Sequence, residues 1–195
     1  MIDVVRVLPG QLPLPPALPD GADLAALGNL EILKTPLLAV FSSIKCPAGL
    51  ILKAHDTAKE LSASGQAVIS GFQSPAEREI LTMLLRGKSP IVIFPARGLQ
   101  GMRTPAVWKP ALKSGQLLLL SPFPAGLRRA TTEQAELRNR IVFSLADRVL
   151  IVHAAPGGKL ESLCQDMSAG KANLFTYDSI YNQNMLSLGA RVWEG

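Results

Sequence analysis

The sequence predicts an α/β protein, a three-layer sandwich in which a mostly parallel sheet is covered by helices on both faces. Three observations lead there. Short runs such as Leu37-Leu38-Ala39-Val40-Phe41 and Val149-Leu150-Ile151-Val152 are apolar without alternation, the pattern of strands buried on both sides. Amphipathic helical segments alternate with these runs, which calls for parallel strands joined by right-handed crossovers. With 48% hydrophobic residues and a mean hydropathy of +0.24, 195 residues supply the core of one domain, and this excludes full-length disorder.

The elements follow in order. Residues 8–22 are rich in proline, whose fixed φ and missing N–H favour an extended arm over a helix or inner strand. Residues 1–26 are therefore read as a proline-rich N-terminal arm, packed along its own domain or offered as a polyproline ligand, and 27–195 as the folded domain. Strands are expected at 36–41, 66–70, 90–94, 116–120, 148–152 and 172–176. Helices are expected from about 49 to 64, from 75 to 86, from 131 to 145, from 159 to 168 and near 183–188. Ser74 caps the second helix and Pro75 sits in its first turn. Thr131 followed by Gln134 forms a capping box at the third. No internal repeat is present.

Charge narrows the partner. Twenty Lys and Arg against fifteen Asp and Glu give a net charge of +5 and a pI near 9.5. This favours an anionic partner such as nucleic acid, nucleotide or phosphate without locating its site. Only 5% of residues are aromatic, which argues against a broad base-stacking platform. No uncharged apolar run approaches the ~20 residues that span a bilayer, and Met1-Ile2-Asp3-Val4-Val5-Arg6 lacks the basic start of a secretory signal. Two cysteines, Cys46 and Cys164, make neither a disulfide framework nor a metal cluster. A cytoplasmic protein with no metal, no cofactor and no membrane partner is expected.

In an open parallel sheet, ligands bind beyond the carboxyl ends of the strands. Five loops meet this condition, and they contain hydroxyls, glycines and basic groups but no carboxylate. They contribute Ser42, Ser43 and Lys45; Ser70, Gly71, Gln73 and Ser74; Arg97 and Gly98; the 121–129 segment with Arg128 and Arg129; and Gly157, Gly158 and Lys159. Small residues admit phosphate oxygens to backbone N–H groups, and helix ends and basic side chains supply positive potential. Taken singly, each loop is equally a chain turn with solvated basic groups. No Gly-x-Gly-x-x-Gly follows the first strand and no Gly-x-x-x-x-Gly-Lys-Ser/Thr occurs, so dinucleotide and P-loop sites are excluded.

Catalytic groups are scarce. His153 at a strand end is read as packed or hydrogen-bonded, His55 as a surface residue, and Cys164 as core. Cys46 has no evident histidine partner. Glu77 and Glu79 are the nearest candidates for acid/base work and are more simply read as complementing a helix dipole. No catalytic residue is assigned. Arg138-Asn139-Arg140 lies within a helix, and its arginines point about 200° apart. One is expected to reach phosphate while the other pairs with Glu133, Glu136 or Asp147.

The order of segments resembles the Rossmann-like domain of the DNA-processing protein A (DprA/Smf) family. Gly28 to Pro36 resembles the lead-in to the first strand, and Val68-Ile69-Ser70-Gly71 is similar to the family's Val-Ser-Gly. Arg97-Gly98-Leu99 stands for its Gly-x-Gly-Leu, and Ser121-Pro122-Phe123-Pro124-Ala125-Gly126 for its Ser-Glu-x-Pro-Pro-Gly. Arg138-Asn139-Arg140-Ile141 matches its Arg-Asn-Arg-Ile, the most specific motif. Gly158 to Ser162 and Asn184 to Ala190 complete a likeness over roughly residues 25 to 193.

The resemblance implies a divergent, non-enzymatic domain that binds single-stranded DNA in the rim pocket during DNA processing and recombination. It also implies self-association as a homodimer and transfer of DNA to a RecA-type recombinase. The family's helical module and winged helix are not expected in this sequence. Phe41-Ser42-Ser43 replaces Gly-Ser-Arg, and Ser70 to Glu77 replaces Ser-Gly-x-Ala-Arg-Gly-x-Asp, so two arginines are lost. Weaker, less salt-dependent DNA binding follows, with Lys45, Arg97 and Lys159 as compensating cations. The bulky Phe72 and the lost arginines equally suit a smaller pocket that senses a nucleotide or a small phosphorylated ligand. A decayed structural paralogue is a further reading. Phosphoribohydrolase chemistry is disfavoured, because Cys164 stands where Pro-Gly-Gly-x-Gly-Thr-x-x-Glu enzymes have their glutamate.

Overall fold

Successive residues of each inner strand belong to different apolar layers, and the layers divide the helices between them. The computed structural model describes residues 4–7, 24–167 and 173–194. In chain order its elements are β1 (Val5–Val7), β2 (Leu24–Gly28), β3 (Leu37–Ser42), α1 (Ala48–Ser64), β4 (Ala67–Ser70), α2 (Pro75–Leu84) and β5 (Ile91–Ile93). Then come α3 (Lys109–Lys113), β6 (Leu117–Ser121), α4 (Thr132–Leu145), β7 (Arg148–His153), α5 (Lys159–Met167), β8 (Leu174–Thr176), α6 (Gln183–Ser187) and β9 (Arg191–Val192).

The strands form one sheet in the order β1-β2-β6-β5-β4-β3-β7-β8-β9. Pairing is parallel from β6 through to β9. From β3 the chain first builds outward through β4 and β5 to β6, then crosses to the other side of β3 for β7, β8 and β9. The switch point therefore lies between β3 and β7, where loops leave in opposite directions and open a crevice at the carboxyl ends. A β-bulge between Phe41 and Ser42 shifts the β3–β7 register at this place, and such bulges re-aim the chain that follows.

Leu38, Val40, Val68, Ile91, Leu119 and Val152 pack with α1, α2 and α3. Ala39, Phe41, Ile69, Val92, Leu118 and Ile151 pack with α4, α5 and α6. Burying a side chain of this size stabilises the fold by roughly 1.5–3 kcal/mol, so the sheet is held from both faces. The expected capping box of Thr131 with Gln134 is formed on α4, and Ser74 caps α2 as expected, there closing a full box with Glu77.

Two antiparallel strands add to the expected parallel set. β1 pairs antiparallel with β2, and β2 antiparallel with β6. The boundary read from the sequence between residues 26 and 27 falls inside β2, and the proline-rich residues 8–22 lie outside the described residues. Leu24 and Ala26 are fully buried, but five residues beside a proline-rich stretch carry no helical or strand period to reveal this. The last expected strand, 172–176, is Leu174–Thr176, and residue 172 is outside the described part. The short α3 and β9 are likewise too brief to leave a period.

Cys164 is fully buried, as expected. Burial pushes its thiol up to about 12 and the Tyr177 phenol up to about 12, from ordinary values of 9.0 and 10.0. In the unfolded chain both groups ionise at lower pH, so between those values the folded state holds more protons. Stability is complete below the ordinary values and falls as pH rises from about 9 toward 12. Thermal unfolding followed by circular dichroism is expected to show a midpoint that drops between about pH 9 and 11, with a shallower drop in Cys164→Ala.

Candidate functional site

All five loops beyond the carboxyl ends of the strands contribute to one open cleft of about 860 Å3. Ser42, Ser43 and Lys45 line it from the β3–α1 loop; Gly71, Gln73 and Ser74 from the β4–α2 loop; and Arg97 from the loop after β5. Arg128 and Thr131 come from the β6–α4 loop, Arg138 and Asn139 from α4, and Lys159 from the start of α5. At the upper end of the ~300–1,000 Å3 range of small-molecule pockets, the cleft is roomy for a single small ion.

Its floor is built around Glu77. The side chain is buried, and its two oxygens accept backbone N–H groups of Ser42 at 2.9 Å, Gln73 at 2.7 Å and Ser74 at 3.3 Å. One carboxylate thus ties the loop after β3 to the start of α2. Glu77 is a structural anchor, and its oxygens are committed to the backbone. Glu79 bonds His55 at 2.6 Å between α2 and α1, away from the cleft.

Arg138 is the buried cation of the site, 4% exposed. Its Nε donates to Asn139 Oδ1 at 2.7 Å and its Nη1 to the Phe94 carbonyl at 3.1 Å. Among the described residues, Nη2 has no partner. Desolvation lowers the pKa of the guanidinium, and the field of Glu77 offsets part of that effect. Gly71 makes the arrangement possible: a Cβ there would lie 1.5 Å from Arg138 Nη1. The next residue, Phe72, is at φ 50, the one described non-glycine residue in the left-handed region. Its N–H is held by Ser70 Oγ at 3.1 Å. Its ring is sunk into the apolar layer beneath α1 and α2, so Phe72 does not close the cleft.

Three further cations, Lys45, Arg97 and Arg128, are exposed on the cleft wall. None of their charged groups has an ion-pair or hydrogen-bond partner among the described residues. Three basic groups elsewhere are ion-paired: Lys34 with Glu31 at 2.8 Å, Lys59 with Asp56 at 3.0 Å, Arg140 with Asp166 at 2.6 Å. Lys159 pairs with Glu136 at 2.6 Å at the cleft mouth. Lys45, Arg97, Arg128 and Arg138 thus bring four cations from separate elements to one cleft.

The starts of α2 and α5 are met by their own acids, whereas α1 begins after Pro47 with no side-chain cap and no acid in its first turn. Glu77 occupies the amino terminus of α2. Gly157 N–H donates to Glu161 Oε2 at 2.6 Å, and Gly158 N–H to the Ala155 carbonyl at 2.9 Å. Gly157 faces a separate hollow of about 190 Å3 with Arg140 and Ser162. Arg140 pairs with Asp166 rather than with Glu133, Glu136 or Asp147. Ser70 is buried beneath Phe72, and Gly98 packs on Pro124, whose carbonyl would lie 2.3 Å from a Cβ. His153 is buried with Nδ1 3.0 Å from Asn182 Oδ1, a packed strand-end residue.

The sequence reading offered Arg128 only together with Arg129 in the 121–129 loop, and did not place Met102, Thr132 or Trp108 in the site. Arg128 stands beside Arg129, and nothing in that dipeptide tells which one faces inward. Trp108 did leave a signal, a tryptophan in the otherwise weakly apolar stretch between the third and fourth parallel strands.

This cleft, floored by the arginine of Arg138-Asn139-Arg140-Ile141, coincides with a family match. Residues 19–187 fit the model of DNA recombination-mediator protein A. The chain belongs to that family. Among solved structures it is similar to DNA processing protein A of Streptococcus pneumoniae, with 18% identity, a TM-score of 0.78, and 98% of this chain and 71% of that chain covered. The Helicobacter pylori protein, described for its unique single-stranded DNA binding mode, gives 19% identity and a TM-score of 0.75, covering 100% of this chain and 92% of that one. A molybdenum cofactor binding protein of Rippkaea orientalis matches at 10% identity and a TM-score of 0.56, over 83% and 90% of the two chains. No curated protein matches the sequence. At these identities the solved structures establish a shared fold. No helix among the described residues is long and apolar enough to cross a membrane.

The Glu77 anchor makes a prediction independent of any ligand. Glu77→Ala strands backbone donors in a buried site and leaves Arg138 without its counter-charge. Hydrogen bonds to a charged acceptor are worth ~1.5–3 kcal/mol each, so urea denaturation is expected to show a loss of at least about 3 kcal/mol. The double variant Glu77→Ala/Arg138→Met is expected to recover part of it.

Proposed function

We propose that this member of the DNA recombination-mediator protein A family binds single-stranded DNA in the cleft, by neutralising its phosphates with Lys45, Arg97, Arg128, Arg138 and Lys159. The observation that carries this reading is the set of unpartnered cations above a buried arginine. Like charges held together without counter-ions disfavour the folded state, and an anion that neutralises them is bound in return. A strand suits the cleft because it is open, roomy and edged by cations from several loops rather than closed around one phosphate. The described single-strand binding of the H. pylori relative points the same way. Asn139 serves by orienting Arg138. Ser42, Ser43, Gln73 and Ser74 form the wall, and Ser43 Oγ is already engaged by Ala155 N–H at 2.9 Å.

Fluorescence anisotropy with a labelled single strand tests this. Three to five phosphate contacts give a slope of log K against log salt of roughly −2 to −3.5, at ~0.7 per contact for single strands. Arg97→Ala and Arg128→Ala are each expected to lower affinity and to make the slope shallower by about 0.7. A flat salt response, or free mononucleotides displacing the strand at low concentration, contradicts the reading.

Gly71 offers a second test. Gly71 is not in the left-handed region, so alanine is tolerated by the backbone and acts only by displacing Arg138. Gly71→Ala is expected to weaken strand binding about tenfold to a hundredfold, the worth of one charged hydrogen bond. Gly71→Ala/Arg138→Ala is then expected to match Arg138→Ala alone, because the two changes remove the same contact.

A further inference from the structure

The cations of the cleft account for phosphate and say nothing about bases. Duplex DNA and inorganic polyphosphate are phosphate polyanions too, so a cleft that grips only phosphate would not favour a single strand. An exposed aromatic face would, because an unpaired base stacks on it and a paired base does not.

Trp108 has the properties of such a face. It ends the short turn Ala106–Trp108 that leads into α3, and its backbone N–H is fixed by the Pro105 carbonyl at 3.1 Å. The residue is half-buried. Part of it packs against the apolar layer beneath α1, α2 and α3, beside Met102, and the rest lines the cleft. Its indole Nε1 donates to no described residue. The residue is thus anchored by packing yet only half-buried, on the same cleft as Arg97, Arg128 and Arg138. The fold gains little from exposing a tryptophan to water, whereas a base laid on it regains that burial.

We infer that Trp108 is a base-stacking platform which makes the cleft selective for single-stranded nucleic acid. This rests on the phosphate-binding reading above and adds to it. Phosphates lie along Arg97, Arg128 and Arg138 while one base of the strand turns onto the indole. A single ring of this kind agrees with the low aromatic content: the contact concerns one base and not a run of them.

The test separates the two readings. The chain has two tryptophans, so Trp193→Phe, remote from the cleft, leaves Trp108 as the sole indole reporter. A thymidine oligonucleotide and an abasic strand of equal length and charge are titrated against it. The oligonucleotide is expected to quench the fluorescence and to bind about 5- to 150-fold more tightly than the abasic strand, the range for one base–aromatic stack. Trp108→Ala is expected to bring the oligonucleotide down to the abasic level with an unchanged salt slope. Trp108→Phe, the milder variant, is expected to retain most of the preference. Equal, salt-dependent binding of both strands with no effect of Trp108→Ala overturns the stacking role and leaves phosphate binding standing. Failure of both strands to bind the unmodified chain overturns both readings.

Discussion

Arg138 is held at the floor of the cleft by a carboxylate that never touches it, and the rest of the site is arranged around this pair. Burying a guanidinium costs several kcal/mol unless its donors and its charge are both answered. Phe94 O and Asn139 Oδ1 answer two donors, and Glu77 answers the charge through space. Glu77 in turn is buried only because Ser42, Gln73 and Ser74 give it backbone hydrogen bonds. Two loops from neighbouring strands and a side chain from α4 are therefore fixed relative to one another by one electrostatic arrangement. Gly71 is the steric condition for it, since any side chain at that place would take the space of the guanidinium.

The consequence is a division of labour between backbone and side chains. In many α/β proteins helix amino termini are left open for anions. Here Glu77 and Glu161 fill two of those positions, at α2 and α5, and the cleft carries the side-chain cations Lys45, Arg97, Arg128 and Arg138. Flexible cations spread over separate loops suit a long, repeating polyanion, whereas a backbone nest suits a single compact phosphate group. The cleft geometry and the proposed ligand class are linked in this way, and the switch point between β3 and β7 explains why the loops meet there.

Much of this was legible in the chain. Unbroken apolar runs marked the buried parallel strands, because strands covered on both faces have no polar side. Ser74 and Thr131 marked helix starts, because capping geometry is local. Glu77 was visible only as an acid in a first turn. Its bond to Ser42 N–H spans 35 residues and depends on strand order, which no local pattern encodes. The opposite directions of Arg138 and Arg140 were readable from helix geometry, but the Asp166 partner of Arg140 required knowing how α4 lies on α5. Gly157 and Gly158 have the composition of a phosphate loop, and only the fold reveals that Glu161 already occupies it. The antiparallel strand β2 escaped because five apolar residues without flanking period look the same in a strand or a linker.

The most direct test of the central claim is a structure of the chain bound to a short thymidine oligonucleotide. A phosphate oxygen within about 3 Å of Arg138 Nη2, with Glu77 still on its three backbone donors, is the predicted result. A strand bound elsewhere on the molecule, with the cleft cations turned to solvent, would contradict it.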